Sequence, residues 1–133
     1  MKTIDLDGNV STWNYVKDHS KNLLNKSKLH CLARQIIKQQ YPTMTILEEV
    51  TIRPRKNLTA YLDFFIPMIR LCIEVHGEQH YKFVPFYHTN ILGFTTAKKR
   101  DAEKKEWCLI NNLNYIVLPY NETDKWLEYV KII

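Results

Sequence analysis

The period of the apolar positions changes along the chain, and each change marks an element. Leu29, Leu32, Ala33, Ile36 and Ile37 recur at three- and four-residue spacing, which lines one face of a helix. Ser27 precedes them as a cap, and Pro42 stands where the helix must already have closed. The other face carries Lys28, Arg34, Lys38 and Gln39, with His30 placed as a partly exposed surface histidine. From Ile46 to Ile52 the pattern alternates instead, Leu47, Glu49 and Thr51 against Glu48, Val50 and Ile52, the period of a strand. Arg53-Pro54-Arg55-Lys56-Asn57 should end it as a basic loop.

Two runs rich in aromatic and β-branched residues follow, Ala60 to Ile66 and Leu71 to His76, joined by Pro67, Met68 and Ile69. Such runs around a short connection predict a β-hairpin. Tyr81 to Thr96 has no period and holds Tyr81, Phe83, Pro85, Phe86, Tyr87, His88, Asn90, Gly93 and Phe94, so it reads as a long loop whose aromatic rings pack on the core or stack on bases. Thr96 is placed to cap a helix from Ala97 to about Asn112. Tyr115 to Leu118 reads as a strand closed by Pro119, and Glu122 to Ile133 as an amphipathic helix with Trp126, Tyr129, Val130 and Ile133 as its stripe. Residues 1–26 are polar and mixed, with Asp7-Gly8-Asn9 as a turn and Ser11 or Thr12 as the cap of a short segment through Trp13, Tyr15 and Val16. The order helix, three strands, loop, helix, strand, helix predicts an α/β fold with a mixed β-sheet and flanking helices. Residues 27–133 form its single domain, and residues 1–26 are an N-terminal extension packed on it.

A chain of 133 residues supplies one core rather than two. No apolar run reaches membrane-spanning length, and acids stand near the start where a secretory signal would be apolar. The expectation is a cytoplasmic protein without a membrane partner. Cys31, Cys72 and Cys108 are odd in number and set in apolar sequence, which suits reduced, buried thiols. A net charge of +5 suits a polyanionic partner, leaving DNA, RNA and an acidic protein open. Arg53, Arg55 and Lys56 in their loop are placed to touch phosphates. Lys98, Lys99 and Arg100, in the first turn of the predicted helix, oppose its dipole and so read as anion-holding residues.

The hairpin carries the chemistry. If its strands pair around the Pro67 turn, Asp63 and Glu74 lie opposite each other, Glu74 sharing a face with Cys72 and His76. An unpaired buried carboxylate costs several kcal/mol or is held neutral. A shared divalent cation stabilises both acids; a solvated face or a nearby Lys or Arg is the alternative. Glu48, Glu49 and Glu78 are candidates for a further acid. The stretch from Glu74 to His80 is dense in ligand atoms, but a zinc-protease helix needs a glutamate directly after its first histidine, where Gly77 stands here. Cys72, His76, His80 and His88 offer zinc ligands without any recurring ligand spacing.

Asp63 in YLDFFIP, Glu74 in IEVHGEQHY, the helix KKRDAEKKEW and the strand NYIVLPYNE, in this order, resemble the PD-(D/E)XK nuclease superfamily, and within it the very short patch repair endonucleases. The resemblance covers about Ser27 to Glu122. It implies a restriction-endonuclease-like core and a metal-dependent DNA endonuclease that nicks or cleaves at a site or structure; monomer and homodimer are both left open by the sequence. It further implies Mg²⁺, with Mn²⁺ as substitute, held by Asp63, Glu74 and the Val75 carbonyl, with Lys104 binding the scissile phosphate or stabilising the transition-state charge, Gln79 orienting water or phosphate, and His76 or His80 as base or proton shuttle. Two departures stand out. The family's lysine, two places after the second acid, is His76 here, and the supporting helix acid falls near His30. A neutral imidazole accepts a proton where a lysine holds a charge. The substitution also raises a second reading, a catalytically weakened nuclease fold acting as a nucleic-acid or protein binding module; an RNA-processing enzyme is a third.

Overall fold

The computed structural model describes residues 1–84, 88 and 91–131. Helix α1, Lys28–Gln40, starts where Ser27 Oγ accepts the His30 backbone N–H at 3.1 Å, satisfying one of the donors every helix start leaves open. It buries Ala33 and Ile37. Strands β3 (Leu47–Arg55), β4 (Leu58–Ile66), β5 (Leu71–His76) and β6 (Asn114–Pro119) form one four-stranded sheet in that spatial order. The first three pair antiparallel and β6 joins β5 in parallel. A parallel neighbour requires a crossover, supplied by helix α2, Ile91–Ile110. A separate hairpin of β1 (Lys2–Ile4) and β2 (Val10–Thr12) precedes the domain, and one turn of helix, α3 (Trp126–Tyr129), follows it. The fold is mixed α/β, a four-stranded mixed sheet with helices on both faces.

Each face has its own core. Trp13, Val50, Ile52, Leu62, Phe65 and Cys72 pack with Trp107 and Cys108 of α2. Phe64, Ile66, Leu71, Ile73 and Leu118 pack with Ala33 and Ile37 of α1 and Trp126 of α3. The hairpin turn is a short 3-10 segment at Pro67–Ile69, closed by Arg70 with φ 52°.

Several elements differ from the pattern-based expectation. Strand β3 runs on through Arg53, Pro54 and Arg55 instead of ending in a basic loop, because the register shifts between Ile52 and Arg55, and a bulge accommodates a proline that has no N–H to give. Helix α2 begins at Ile91, not Ala97. Thr95 and Thr96 sit inside it, their hydroxyls donating to the carbonyls of Ile91 (3.1 Å) and Leu92 (2.9 Å), so Thr96 is no cap. Lys98, Lys99 and Arg100 are therefore mid-helix and do not oppose its N-terminal dipole. Of the expected aromatic loop, Pro85, Phe86, Tyr87 and Asn90 lie outside the described residues. Ser11 and Thr12 lie in or at the end of β2 rather than capping a helix. At the other end, Tyr120–Lys125 is 3-10 with a break at Glu122 (φ −132°), so only one α-helical turn remains of the expected amphipathic helix. Trp126 and Val130 are still its buried anchors; Ile133 lies outside the described residues. Cys72 and Cys108 are buried, whereas Cys31 is half-exposed. No helix among the described residues is long and apolar enough to cross a membrane.

The N-terminal segment is held by Trp13. Its indole N–H donates to the Thr51 carbonyl at 2.8 Å, and its ring meets Phe65 at 4.7 Å and Trp107 at 5.1 Å. Trp13→Ala is expected to lower stability by about 3–5 kcal/mol in urea unfolding. A change near zero would mean that residues 1–26 are not part of the cooperative core.

Candidate active site at the splayed end of the central hairpin

The β4–β5 ladder consists of Phe64↔Ile73, Phe65↔Cys72 and Ile66↔Leu71, and stops just short of Asp63 and Glu74. Beyond that point the two acids take over the backbone's hydrogen bonding. The Asp63 N–H donates to Glu74 Oε2 at 3.0 Å, and the Val75 N–H donates to Asp63 Oδ2 at 2.8 Å. A strand normally satisfies such amides by pairing; here side chains do so and the strands part. Strict alternation fails at the same level. Leu62 and Val50 belong to the α2-side core, while Phe64 faces α1 and Glu48 reaches its His30 and Arg34. At this switch Glu49 adopts φ 48°, a left-handed conformation that costs a residue with a side chain roughly 1–2 kcal/mol.

Helix α2 closes the site. The Lys104 ammonium forms an ion pair with Glu74 Oε1, reaches the Tyr61 carbonyl at 3.3 Å and lies 3.9 Å from Asp101 Oδ1. Asp101 Oδ2 in turn meets His80 Nδ1 at 2.7 Å, and the His80 ring stacks on His76 with centroids 4.1 Å apart and planes 1° from parallel. Asp101, Lys104 and Cys108 share one side of α2 because helical neighbours recur at three and four residues. A cavity of about 420 Å³ opens here, lined by Glu49, Asp63, Val75, Gln79, His80 and Lys104 among others. A Cβ on Gly77 would come within 2.5 Å of Gln79 Oε1, so the absence of a side chain there lets the Gln79 amide fold back over the strand end.

The charges are unevenly matched. Burial raises the Asp63 pKa well above the usual carboxylate range, and the Glu74 charge raises it further. Burial disfavours the Lys104 ammonium, but the Glu74 carboxylate more than offsets this, with Asp63 and Asp101 adding, so its pKa stands above that of an ordinary lysine. Burial also disfavours the Asp101 carboxylate, yet the His80 hydrogen bond and Lys104 hold it below its usual value. Burial, and then the neighbouring His80, push the His76 imidazole down to about 4, so it is neutral at physiological pH. Glu49 pairs with Lys26 at 2.5 Å. Among the described residues, Glu49, Asp63, Glu74 and Asp101 are met by Lys26, Lys104 and the His80 imidazole, an oxygen-rich arrangement.

The structure brings together Asp63, Glu74, Val75, Gln79, His80 and Lys104, and places His76 behind them at 9% exposure. It does not bring Arg53, Arg55 and Lys56 to the site, since they lie towards the far end of the β3–β4 hairpin. Arg55 is already paired with Asp7 at 2.6 Å and Glu103 at 3.0 Å. Lys98, Lys99 and Arg100 are exposed on α2. His30 is not a surface histidine. It is 7% exposed, stacks on Phe64 at 4.5 Å and meets Glu48 at 2.6 Å, while Arg34 grips both Glu48 oxygens at 2.9 Å. Burial disfavours the Glu48 charge, but these partners hold its pKa below the usual value. Glu48 is therefore structural, and Glu78 is exposed beside Lys82, which leaves Glu49 as the further acid at the cavity. Cys72 points into the α2-side core and His88 packs between Phe83 and Phe94, so neither joins the other two histidines in a zinc set. Asp101 stands in the KKRDAEKKEW motif without a role assigned from sequence; its three-residue spacing from Lys104 is the available signal.

Asp63 makes the pH dependence of stability run in a definite direction. Its folded pKa lies above its unfolded one, so the native state holds the proton more tightly and stability falls as pH rises from the ordinary carboxylate range through the folded value. Asp63→Asn, which keeps an oxygen for the Val75 amide, is expected to stabilise the metal-free protein at neutral pH by about 1–2 kcal/mol, with the advantage gone below about pH 4. Urea midpoints against pH would show this, and parallel curves for the two proteins would disprove it.

Comparison with known proteins finds no matching family model and no matching solved structure. The chain is 36% identical over 75 residues to uncharacterized protein 307L of Invertebrate iridescent virus 6, and 37% identical over 59 residues to uncharacterized protein 033L of Invertebrate iridescent virus 3. These alignments take in 56% and 44% of this chain but only 38% and 30% of the relatives, so the chain matches a minor part of two longer viral proteins.

Proposed function

We propose that the protein is a metal-dependent DNA endonuclease with a restriction-endonuclease-like core, hydrolysing phosphodiester bonds at the cavity between β4, β5 and α2. The observation that carries this reading is the juxtaposition of Asp63, Glu74 and Lys104 where the hairpin splays. The donor set suits Mg²⁺, with Mn²⁺ as substitute. Its atoms are hard oxygens, and burial, with the Glu74 charge beside it, raises the Asp63 pKa, a cost that a bound cation would offset. Asp63, Glu74 and the Val75 carbonyl would hold the ion, with Glu49 at the cavity wall. An ion bound there would supply Lewis acidity to a phosphate oxygen and to an attacking water.

The chain's own residues do the rest. Lys104 comes from α2 and takes the charge-stabilising role that His76 cannot fill, since a neutral buried imidazole carries no cation to a developing phosphorane. His80, oriented by Asp101 and open to the cavity, is the better placed proton acceptor of the two histidines, and Gln79 supplies an amide to orient water or phosphate. Exposed Lys98, Lys99 and Arg100 on α2 give the phosphate backbone a cationic approach.

One observation favours the second reading, a weakened nuclease fold that binds without cutting. Both Glu74 oxygens are already engaged, one by the Asp63 amide and the other by Lys104. Metal-dependent cleavage separates the two. Supercoiled plasmid in Mg²⁺ or Mn²⁺ is expected to be nicked or linearised, with EDTA, Asp63→Ala and Glu74→Ala each abolishing the product, and Lys104→Ala reducing the rate about 10²–10³-fold. Tight DNA binding with no cutting of plasmid, mismatched or branched DNA would establish the binding module, and cutting of RNA in preference to DNA at matched salt would move the substrate class.

A further inference from the structure

At the edge of the oxygen-lined cavity, and sharing His80 with its lining, lies a second constellation of different chemistry. His76 ends β5, His80 ends the 3-10 turn Glu78–His80, and Asp101 projects from α2. One ligand atom from each lies within 4.8 Å of the others. His76 Nε2 is buried and has no hydrogen-bond partner among the described residues, on a side chain that is itself nine-tenths buried. A buried polar atom left without a partner costs about 1–3 kcal/mol, and the native interior rarely leaves one without a reason.

We propose that His76, His80 and Asp101 form a binding site for a divalent transition metal of the zinc class, adjoining the Asp63–Glu74 site and sharing His80 with its cavity. When the ion is bound His80 is a ligand rather than a proton acceptor, and the binding itself does not require that the protein cut DNA. Two imidazole nitrogens and one carboxylate oxygen make a borderline-soft donor set, which selects Zn²⁺, Co²⁺ or Ni²⁺ over Mg²⁺. Asp63 and Glu74 offer oxygen alone. Three protein ligands leave positions on the ion for water, as in open zinc sites. The His76 nitrogen without a partner would become a ligand, and the Asp101 carboxylate, already drawn to His80, would exchange a hydrogen bond for coordination. Lys104 stands between the two sites, paired with Glu74 on one side and 3.9 Å from Asp101 on the other.

The test is metal binding by the full chain, prepared metal-free, with Zn²⁺ as titrant in competition with a chromogenic chelator and with Co²⁺ absorption as the report on nitrogen coordination. One equivalent is expected to bind, unaffected by a large excess of Mg²⁺. His80→Ala and Asp101→Asn are expected to weaken it about tenfold or more. His76→Gln, which keeps the buried site polar and guards against misfolding, should do the same with an unchanged circular dichroism spectrum. Asp63→Asn and Cys31→Ser should leave binding intact. Absence of a bound equivalent, loss of it to Mg²⁺, or wild-type affinity in a folded His76→Gln protein would each overturn the site.

Discussion

Everything at the candidate site follows from one exchange, in which the carboxylates of Asp63 and Glu74 replace the backbone ladder between β4 and β5. Two antiparallel strands stay together as long as each amide finds a carbonyl across the gap. When the Asp63 amide goes to Glu74 and the Val75 amide to Asp63, the strands no longer need one another and part. The parting opens a cavity at a point where the flanking strand residues are buried. Both acids are pinned by the hydrogen bonds that open it, so the site is organised before anything binds.

That arrangement brings negative charge into a largely desolvated place, and the crossover helix answers it. The same side of α2 carries Trp107 and Cys108, which anchor it in the core, and Lys104 and Asp101, which reach the acids. Apolar burial thus fixes the ammonium on Glu74 to within an ion-pair distance. A buried ion pair is weak evidence of net stabilisation, because desolvation consumes much of the attraction. Its effect here is positional. Towards its start the helix is exposed, with Ile91 and Leu92 at 62% and 72% ahead of the exposed Lys98, Lys99 and Arg100.

The acids near the site are sorted by what surrounds them. Glu48 is buried but satisfied by Arg34 and His30, and so ties α1 to β3 with no capacity left for a ligand. Glu49, next in sequence, is turned towards the cavity by a left-handed backbone. Asp63 carries the destabilising charge, and Glu74 is neutralised by Lys104. Strain of this kind persists only where surrounding structure imposes it, and the flanking pairs Glu48↔Phe64 and Val50↔Leu62 do so.

Apolar periodicity alone determined the elements with one clear partner face. Helix α1 and its Ser27 cap, the central hairpin, and the facing of Asp63 and Glu74 follow from the 3.6- and 2-residue patterns, because burying such a face allows few other solutions. The start of helix α2 is not legible in the sequence because its first half buries almost nothing, so those residues show no period to read. The Pro54 bulge was missed because a proline signals an end to pairing until a register shift shows how it is tolerated. Only the tertiary structure decided that His30 is buried, that Glu49 rather than Glu48 meets the cavity, and that Asp101 and Lys104 join His80 and Glu74. Those contacts depend on where α2 lies across the sheet, and on the failure of strand alternation at Asp63. Side chains far apart in sequence are brought together by packing, which leaves no trace in local spacing.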